Sequence, residues 1–229
     1  MHPQEQVPGM SRAKGDGSTD IMNQGRASET DITYRPARAE DSRTIAQLIC
    51  EAGGGLYEYL FDDLIPFMSA LDIVAAAVGA DGSPLSYANC RVATSGPAQI
   101  VGAANLFPAD LIREEPFVPF ASDRLDHIRP LLRLQDWGSM LLNAIAVADT
   151  HRGRGVGTGL LDWADACTLQ AGLSRLSLHV WTDNLGAIRL YKARGFVELG
   201  IAEVPPQPRL PHSGSILMEK NLTRSATER

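Results

Sequence analysis

The spacing of apolar positions changes period several times along the chain, and each change marks an element. Residues 32–37, ITYRPA, alternate as a short strand does. The stretch AEDSRTIAQLICEAGG that follows carries Ile45, Leu48 and Ile49 on one helical face, acids in its first turn, and Gly53, Gly54 and Gly55 as a stop. Apolar residues continue at mixed helical spacing over 56–80, broken at Pro66, which predicts one or two further helices. Residues 86–93 and 99–105 read as strands, and the Thr-Ser-Gly-Pro turn between them predicts an antiparallel hairpin. A long insertion, 107–137, has four prolines and a partly helical centre over 124–134; a connection of that length in a compact domain is expected to form a lid or a pocket wall.

The nearly continuous apolar run SMLLNAIAV, 139–147, predicts a central strand buried on both faces. A glycine-rich turn then opens a helix of about 16 residues with Val156, Leu160, Ala164 and Cys167 on one side. A strand at 176–180, a helix at 184–194 ended by Gly195, a strand at 196–204, a Pro-rich loop at 205–211 and a last strand at 215–220 complete the order. Strand, helix, strand at this spacing is a parallel crossover, whereas the flanking hairpins are antiparallel. The fold class is therefore α/β, with a central mixed sheet of about six to seven strands flanked by helices.

Composition narrows the classes of function. With 229 residues, 44 % hydrophobic and 21 % charged, the chain can bury a sizeable core and fits one domain plus tails. The expected domain is 32–222. Residues 1–31 are polar and rich in Gly, Ser and Gln and are expected to be a disordered tail, with Met10 and Met22 as alternative starts; 223–229 form a short C-terminal tail. The formal charge of −6 disfavours nucleic acid and anionic membrane surfaces as partners. Three cysteines, Cys50, Cys90 and Cys167, lie far apart without metal-ligand spacing, so neither structural zinc nor a disulfide framework is expected. The start lacks an apolar signal-peptide centre and no apolar run approaches a bilayer span, so a cytoplasmic protein is expected.

Chemistry concentrates in AVADTHRGRGVGTGLL, 146–161, where Gly153, Gly155, Gly157 and Gly159 lie between a buried strand and an amphipathic helix. Missing side chains let a ligand approach the backbone, and the unpaired amides of a helix start favour an anion, with pyrophosphate the natural occupant. A P-loop is excluded because no Lys followed by Ser or Thr comes after the second glycine, and a Rossmann fingerprint because its third glycine is out of register. A glycine turn that merely connects strand to helix is the plainer alternative.

Arg152-Gly-Arg-Gly155-Val-Gly157 resembles the (Gln/Arg)-x-x-Gly-x-(Gly/Ala) signature of the GNAT superfamily of acetyl-CoA-dependent N-acetyltransferases, and TDNLGAIRLYKARGF, with Asn184, Ala187, Tyr191 and Gly195-Phe196, resembles its second signature. The resemblance is strong over 141–200 and extends more faintly back to residue 32. It implies a GNAT-like fold and acetyl-CoA as cosubstrate, without a metal. It further implies that Arg152 and the amides of Arg154, Gly155, Val156, Gly157, Thr158 and Gly159 hold the pyrophosphate. The backbone of Ile145, Ala146 and Val147 would pair with the pantetheine arm. Asn184 would hold that arm from the other side, Ala187 would leave it room, and Tyr191 would be the general acid for the departing thiolate. Asn184, Ala187 and Tyr191 are spaced to share one helix face.

An N-acetyltransferase must also deprotonate its amine. Many members of the family carry an acid for this on the central strand, but 139–147 has none, and Asn143 is its only strongly polar interior residue. The base is left among Glu51, Glu58, Asp110, Glu114, Glu115, His127 and Asp136. His179 reads as a packed structural histidine and Cys167 as core. The acceptor pocket is expected among the first helices, the insertion and the Pro-rich loop, which contain Tyr57, Tyr59, Phe61, Phe67, Phe117, Phe120 and Trp137. The leading expectation is acetyl transfer to an unidentified primary amine by direct attack in a ternary complex; the alternative is a non-catalytic acyl-CoA-binding or sensing module. Residues 50–90 contain six acids and no Lys or Arg, which hints at a cationic amine, while 151–194 contain six bases and three acids, which fits coenzyme A. A homodimer is expected only by analogy with the family.

Overall fold

The computed structural model describes residues 31–113 and 122–222. The tails at 1–30 and 223–229, together with Glu114, Glu115, Phe117 and Phe120, lie outside the described residues. The elements are β1 (Ile32–Pro36), α1 (Ser42–Gly53), α2 (Leu56–Phe61), α3 (Ala70–Gly79), β2 (Cys90–Ser95), β3 (Gln99–Pro108), α4 (Ser122–Arg133), β4 (Met140–Val147), α5 (Val156–Gln170), β5 (Arg175–Trp181), α6 (Leu185–Ala193), β6 (Val197–Glu203) and β7 (Gly214–Asn221). The strands form a single seven-stranded sheet in the order β1-β2-β3-β4-β5-β7-β6. Among the described strands only β4 and β5 run parallel; every other neighbouring pair is antiparallel.

Two apolar layers cover the sheet. On one face Ile45, Ile49, Leu60, Phe61, Val74 and Val78 of α1, α2 and α3, with Ile128 of α4, pack against Val92, Ala103, Ala144 and Trp181. On the other, Val156, Leu160, Leu161 and Ala164 of α5 and Ile188 of α6 pack against Val101, Leu142, Leu178 and Met218. The first layer therefore includes α4, from the insertion, which contacts α2 and β6. Arg124 anchors it there by donating to the carbonyls of Leu60 (3.2 Å) and Asp62 (2.6 Å) at the end of α2.

The first hairpin differs from its sequence reading. The strand begins at Cys90 rather than at 86, because Ser86 folds the chain into a 3-10 turn over Tyr87–Asn89, its hydroxyl accepting from the amide of Ala88. It then runs through Thr94 and Ser95, and the turn lies at Gly96, whose φ of 62° requires glycine. The partner β3 continues to Pro108, paired with Met140, so the insertion starts two residues later than its apolar pattern indicates. The break between α2 and α3 spans 62–69, and Ser69 starts α3 with a capping box closed by Asp72.

Candidate active site

β4 and β5 pair only from Met140↔Leu176 to Leu142↔Leu178. Beyond that point β3 stays on β4 as far as Gly102↔Val147, and β7 stays on β5 as far as Trp181↔Ser215. The two central strands therefore splay into a V, and among the described residues one backbone edge of Ala144, Ile145, Ala146 and Val147 has no strand partner. The cause is a bulge: Asn105 opposes Ala144 while Leu106 opposes Leu142, leaving Asn143 as the extra residue. The side-chain phase flips there. Met140 and Leu142 face the α5 layer before the bulge, and Ile145 and Val147 face it afterwards. Asn143 is held by bonds from its Nδ2 to Asn105 Oδ1 (3.0 Å) and Tyr57 Oη (3.3 Å). The sequence singled out Asn143 as the strand's only strongly polar interior residue, where an acid was expected, but not as a bulge; the change of phase around it was the signal.

The glycine-rich turn reaches the mouth of this V. Gly153 (φ 73°) and Gly155 (φ 82°) adopt left-handed conformations, and Gly155 occupies the N-cap of α5 without a side chain to cap it. Among the described residues, no backbone bond engages the amides of Arg154, Gly155, Val156, Gly157 and Thr158. The amide of Gly159, by contrast, already donates to the carbonyl of Gly155 (3.0 Å). Gly159 has a packing reason instead: a Cβ there would meet the Tyr34 ring at 2.3 Å, and the Tyr34 hydroxyl donates to Val156 O. The candidate anion cradle is thus five amides, 154–158, rather than six. Arg152 donates to Val147 O (3.0 Å) and pairs with Asp149. Arg154 is exposed and, with His151, lines a cleft of about 570 Å³ against the β2–β3 turn.

The second signature begins at the N-terminus of α6. Asn184 is its N-cap, with Oδ1 accepting from the amide of Ala187 (3.1 Å). One helix face carries the exposed Asn184, the half-buried Ala187 and the buried Tyr191. The Tyr191 ring packs 5.6 Å from that of Phe196, so it is also part of the core, and its hydroxyl makes no hydrogen bond to a described residue. Burial pushes its pKa up to about 12, which keeps the phenol protonated.

Across the V lies a wall of loops. Each of the three glycines at the end of α1 sits beneath a neighbour. A Cβ at Gly53 would meet the Tyr57 ring at 2.7 Å, one at Gly54 would meet His212 at 2.8 Å, and one at Gly55 would meet the carbonyl of Arg209 at 2.7 Å. The β6–β7 loop is thereby seated on the α1–α2 turn, and Arg209 pairs with Asp63 (2.7 Å) beside it. A cleft of about 580 Å³ opens on this side between Pro130 of α4 and Thr182, Ile201, Glu203, Val204 and Ser213.

The candidate bases separate clearly. Asp136 is bound to Arg175 near the opposite end of β4, and burial together with the neighbouring Glu219 raises its pKa. Asp110 pairs with Arg113 and accepts from Gly138 N, and Glu51 is exposed. Glu58 Oε2 and His127 Nε2 are both buried without a hydrogen-bond partner among the described residues, Glu58 next to Tyr57 on α2 and His127 on α4 with its ring against Tyr59 at 5.3 Å. His179 pairs through Nε2 with Leu134 O (2.9 Å) and through Nδ1 with Ser215, and burial lowers its pKa to about 4, as a structural histidine requires. Cys167 is half-buried at the core's edge; Thr168 holds the fully buried position next to it, and burial raises the Cys167 pKa. Of the aromatics, Tyr57 and Phe61 are buried. Trp137 lies under Arg113 with Asp110, and Phe67 is fully exposed on a left-handed backbone (φ 65°).

Residues 99–196, which carry the bulged strand, the glycine turn and both signatures, match the model of the acetyltransferase (GNAT) family. The chain is 25 % identical to GCN5-related N-acetyltransferase 4, chloroplastic, of Arabidopsis thaliana over 242 residues, 97 % of this chain and 81 % of that one. The fold is shared with an N-acetyltransferase from Staphylococcus aureus Mu50 (TM-score 0.61, 21 % identity, 82 % of this chain and 99 % of that one). It is shared as well with a GCN5-related N-acetyltransferase from Kribbella flavida (TM-score 0.52, 19 % identity, 83 % of this chain and 98 % of that one). Family match over 99–196, curated relative and fold agree: this part of the chain is similar to the acetyltransferase (GNAT) family, and the three findings together support an acyltransferase.

Proposed function

We propose that this enzyme transfers the acetyl group of acetyl-CoA to a cationic primary amine by direct attack within a ternary complex. The observation that carries the reading is the junction of two unpaired sets of backbone groups. The free edge of β4 runs into the five unpaired amides at the start of α5. An arm that pairs with the edge as an added strand would bring its pyrophosphate to those amides. Asn184 Nδ2 would meet the arm from the other side, since its Oδ1 is committed to the helix cap.

The amine nitrogen attacks the thioester carbonyl, a β4 amide stabilises the developing oxyanion, and the C–S bond breaks as the Tyr191 phenol gives its proton to the thiolate. Glu58 is the proton acceptor for the amine. It is the one acid of residues 50–90 that has a buried oxygen without a partner among the described residues, whereas Asp62, Asp63 and Asp72 are engaged by Ala70 N, Arg209 and Arg43, and Glu51 and Asp81 are exposed. A second reading, an acyl-CoA-binding module without catalysis, is favoured by the lack of any acid on β4. Thiol release from acetyl-CoA with spermidine, lysine, an aminoglycoside and a peptide amine as acceptors separates the two. Release with at least one amine supports transfer; micromolar acetyl-CoA binding without release from any of them makes the module the correct reading.

A further inference from the structure

One imidazole joins the two sides of the V. The Trp181 ring, at the end of β5, donates from Nε1 to Gly53 O (2.9 Å), and the His212 ring of the β6–β7 loop stacks on it with 4.4 Å between centroids and 12° between planes. His212 Nε2 bonds to Gly54 O (2.8 Å), and its Nδ1 lies 2.8 and 3.0 Å from the two carboxylate oxygens of Asp183. Gly54 ends α1 on the acceptor wall. Asp183 stands in the tight turn, closed by Asn184 N to Trp181 O and Leu185 N to Asp183 O, that presents the Asn184 cap of α6. Thr182 and Ser213, the neighbours of Asp183 and His212 in the chain, both line the 580 Å³ cleft.

A carbonyl and a carboxylate only accept hydrogen bonds, so both His212 contacts form together only when both ring nitrogens donate. A plain cap for α1 would need the Gly53 and Gly54 carbonyls satisfied and nothing more; here the capping ring is also tied to a carboxylate that is more than half exposed, on the turn leading into α6.

We propose that His212 is a positioning residue that couples the cofactor side of the site to the acceptor wall. Occupation of the V and the α6 N-terminus holds the Asp183 turn. Through the imidazole, this orders the α1–α2 turn and the β6–β7 loop, which contributes Val204 and Ser213 to the 580 Å³ cleft. The inference rests on the reading that coenzyme A binds at the glycine turn and Asn184, and its test keeps the two apart.

Hydrogen exchange of the full chain, with and without saturating coenzyme A, reads the coupling without an acceptor. In the wild type, coenzyme A slows exchange at 154–158 and 184–187, and also, by roughly fivefold or more, at 53–60 and 205–213, the lower end of ordinary coupling between sites. In His212→Ala and in Asp183→Ala, protection at 154–158 persists while the effect at 53–60 and 205–213 disappears. Asp183→Ala leaves the imidazole and its bond to Gly54 in place and serves if the histidine variant does not fold. No protection at 154–158 in the wild type overturns the coenzyme A site itself. Protection there without any at 53–60 and 205–213, or with the distant effect unchanged in both variants, overturns the coupling alone.

Discussion

Tyr34 fills the volume that a side chain at Gly159 would need, its ring 2.3 Å from where a Cβ would stand, and its hydroxyl is bonded to Val156 O. The first strand and the helix that opens the candidate cofactor cradle are therefore packed through one missing methyl group. Four glycines that look alike in sequence divide by what surrounds them. Among the described residues nothing lies within 4 Å of a Cβ at Gly153 or Gly155, and only Val147, at 3.7 Å, near one at Gly157.

Gly159→Ala and Gly157→Ala should accordingly behave in opposite ways. The first forces Tyr34 or α5 to move and is expected to cost about 1–3 kcal/mol, read by urea unfolding. The second fits the fold and is expected to leave stability unchanged or raise it by up to about 1 kcal/mol, because Ala is the better helix former. It should nevertheless weaken coenzyme A binding, measured calorimetrically. Equal stability of the two variants would contradict the packing role of Gly159.

Tyr191→Phe removes a hydroxyl without a partner among the described residues, so folding and coenzyme A affinity should hold. Turnover should fall by roughly 10²–10⁴-fold if the phenol protonates the leaving thiolate. With its pKa pushed up to about 12, the phenol stays protonated until the pH approaches that value, so no alkaline limb below about pH 10 belongs to it. Full turnover in the variant would remove Tyr191 as the acid.

Glu58→Gln keeps the shape of a side chain with one unpartnered buried oxygen. Coenzyme A affinity should be unchanged and kcat/KM for an accepted amine should drop by roughly 10²-fold or more, with partial recovery at higher pH as the free amine becomes abundant. Wild-type kcat/KM at neutral pH would rule Glu58 out as the proton acceptor.

Asn143→Ala removes both bonds that hold the bulge, to Asn105 and Tyr57, and strands Asn105 Oδ1 in the buried strand pair. The expected loss is about 1–3 kcal/mol of stability. Activity should fall further than this, because the angle of the β4 edge depends on the bulge. A stable, fully active variant would show that β4 bends without it.

His179 is neutral in the fold, with a pKa lowered from 6.5 to about 4 by burial. A depressed histidine favours the unfolded state once that state takes up the proton. Its neutral form supports the fold fully above about pH 6.5, and stability is lost progressively as the pH falls from there toward 4. The urea midpoint of the wild type should decline across this window, and His179→Asn should flatten the decline while lowering stability at pH 7, where the bond to Leu134 O is lost.

The periods of apolar residues were sufficient to define the strand and helix order, the mixed sheet and the insertion, because burial of alternating or helical faces is a local property written into consecutive positions; the two signatures were legible only through their resemblance to a family's motifs. Asn184, Ala187 and Tyr191 were legible as neighbours on one helix. Three features depended on contacts between positions far apart in the chain. The bulge at Asn143 arises from the register between β3 and β4, and Gly159 owes its identity to Tyr34, more than a hundred positions earlier. Asp136 and Glu58 looked equivalent as isolated acids, yet Arg175 and Glu219 surround the first, while an oxygen of the second is buried without a partner. Residue type and spacing thus determined the order of elements and the motifs that carry the resemblance; packing between distant segments decided, among the described residues, which backbone edge is free, which amides are unpaired and which acid keeps an oxygen without a partner.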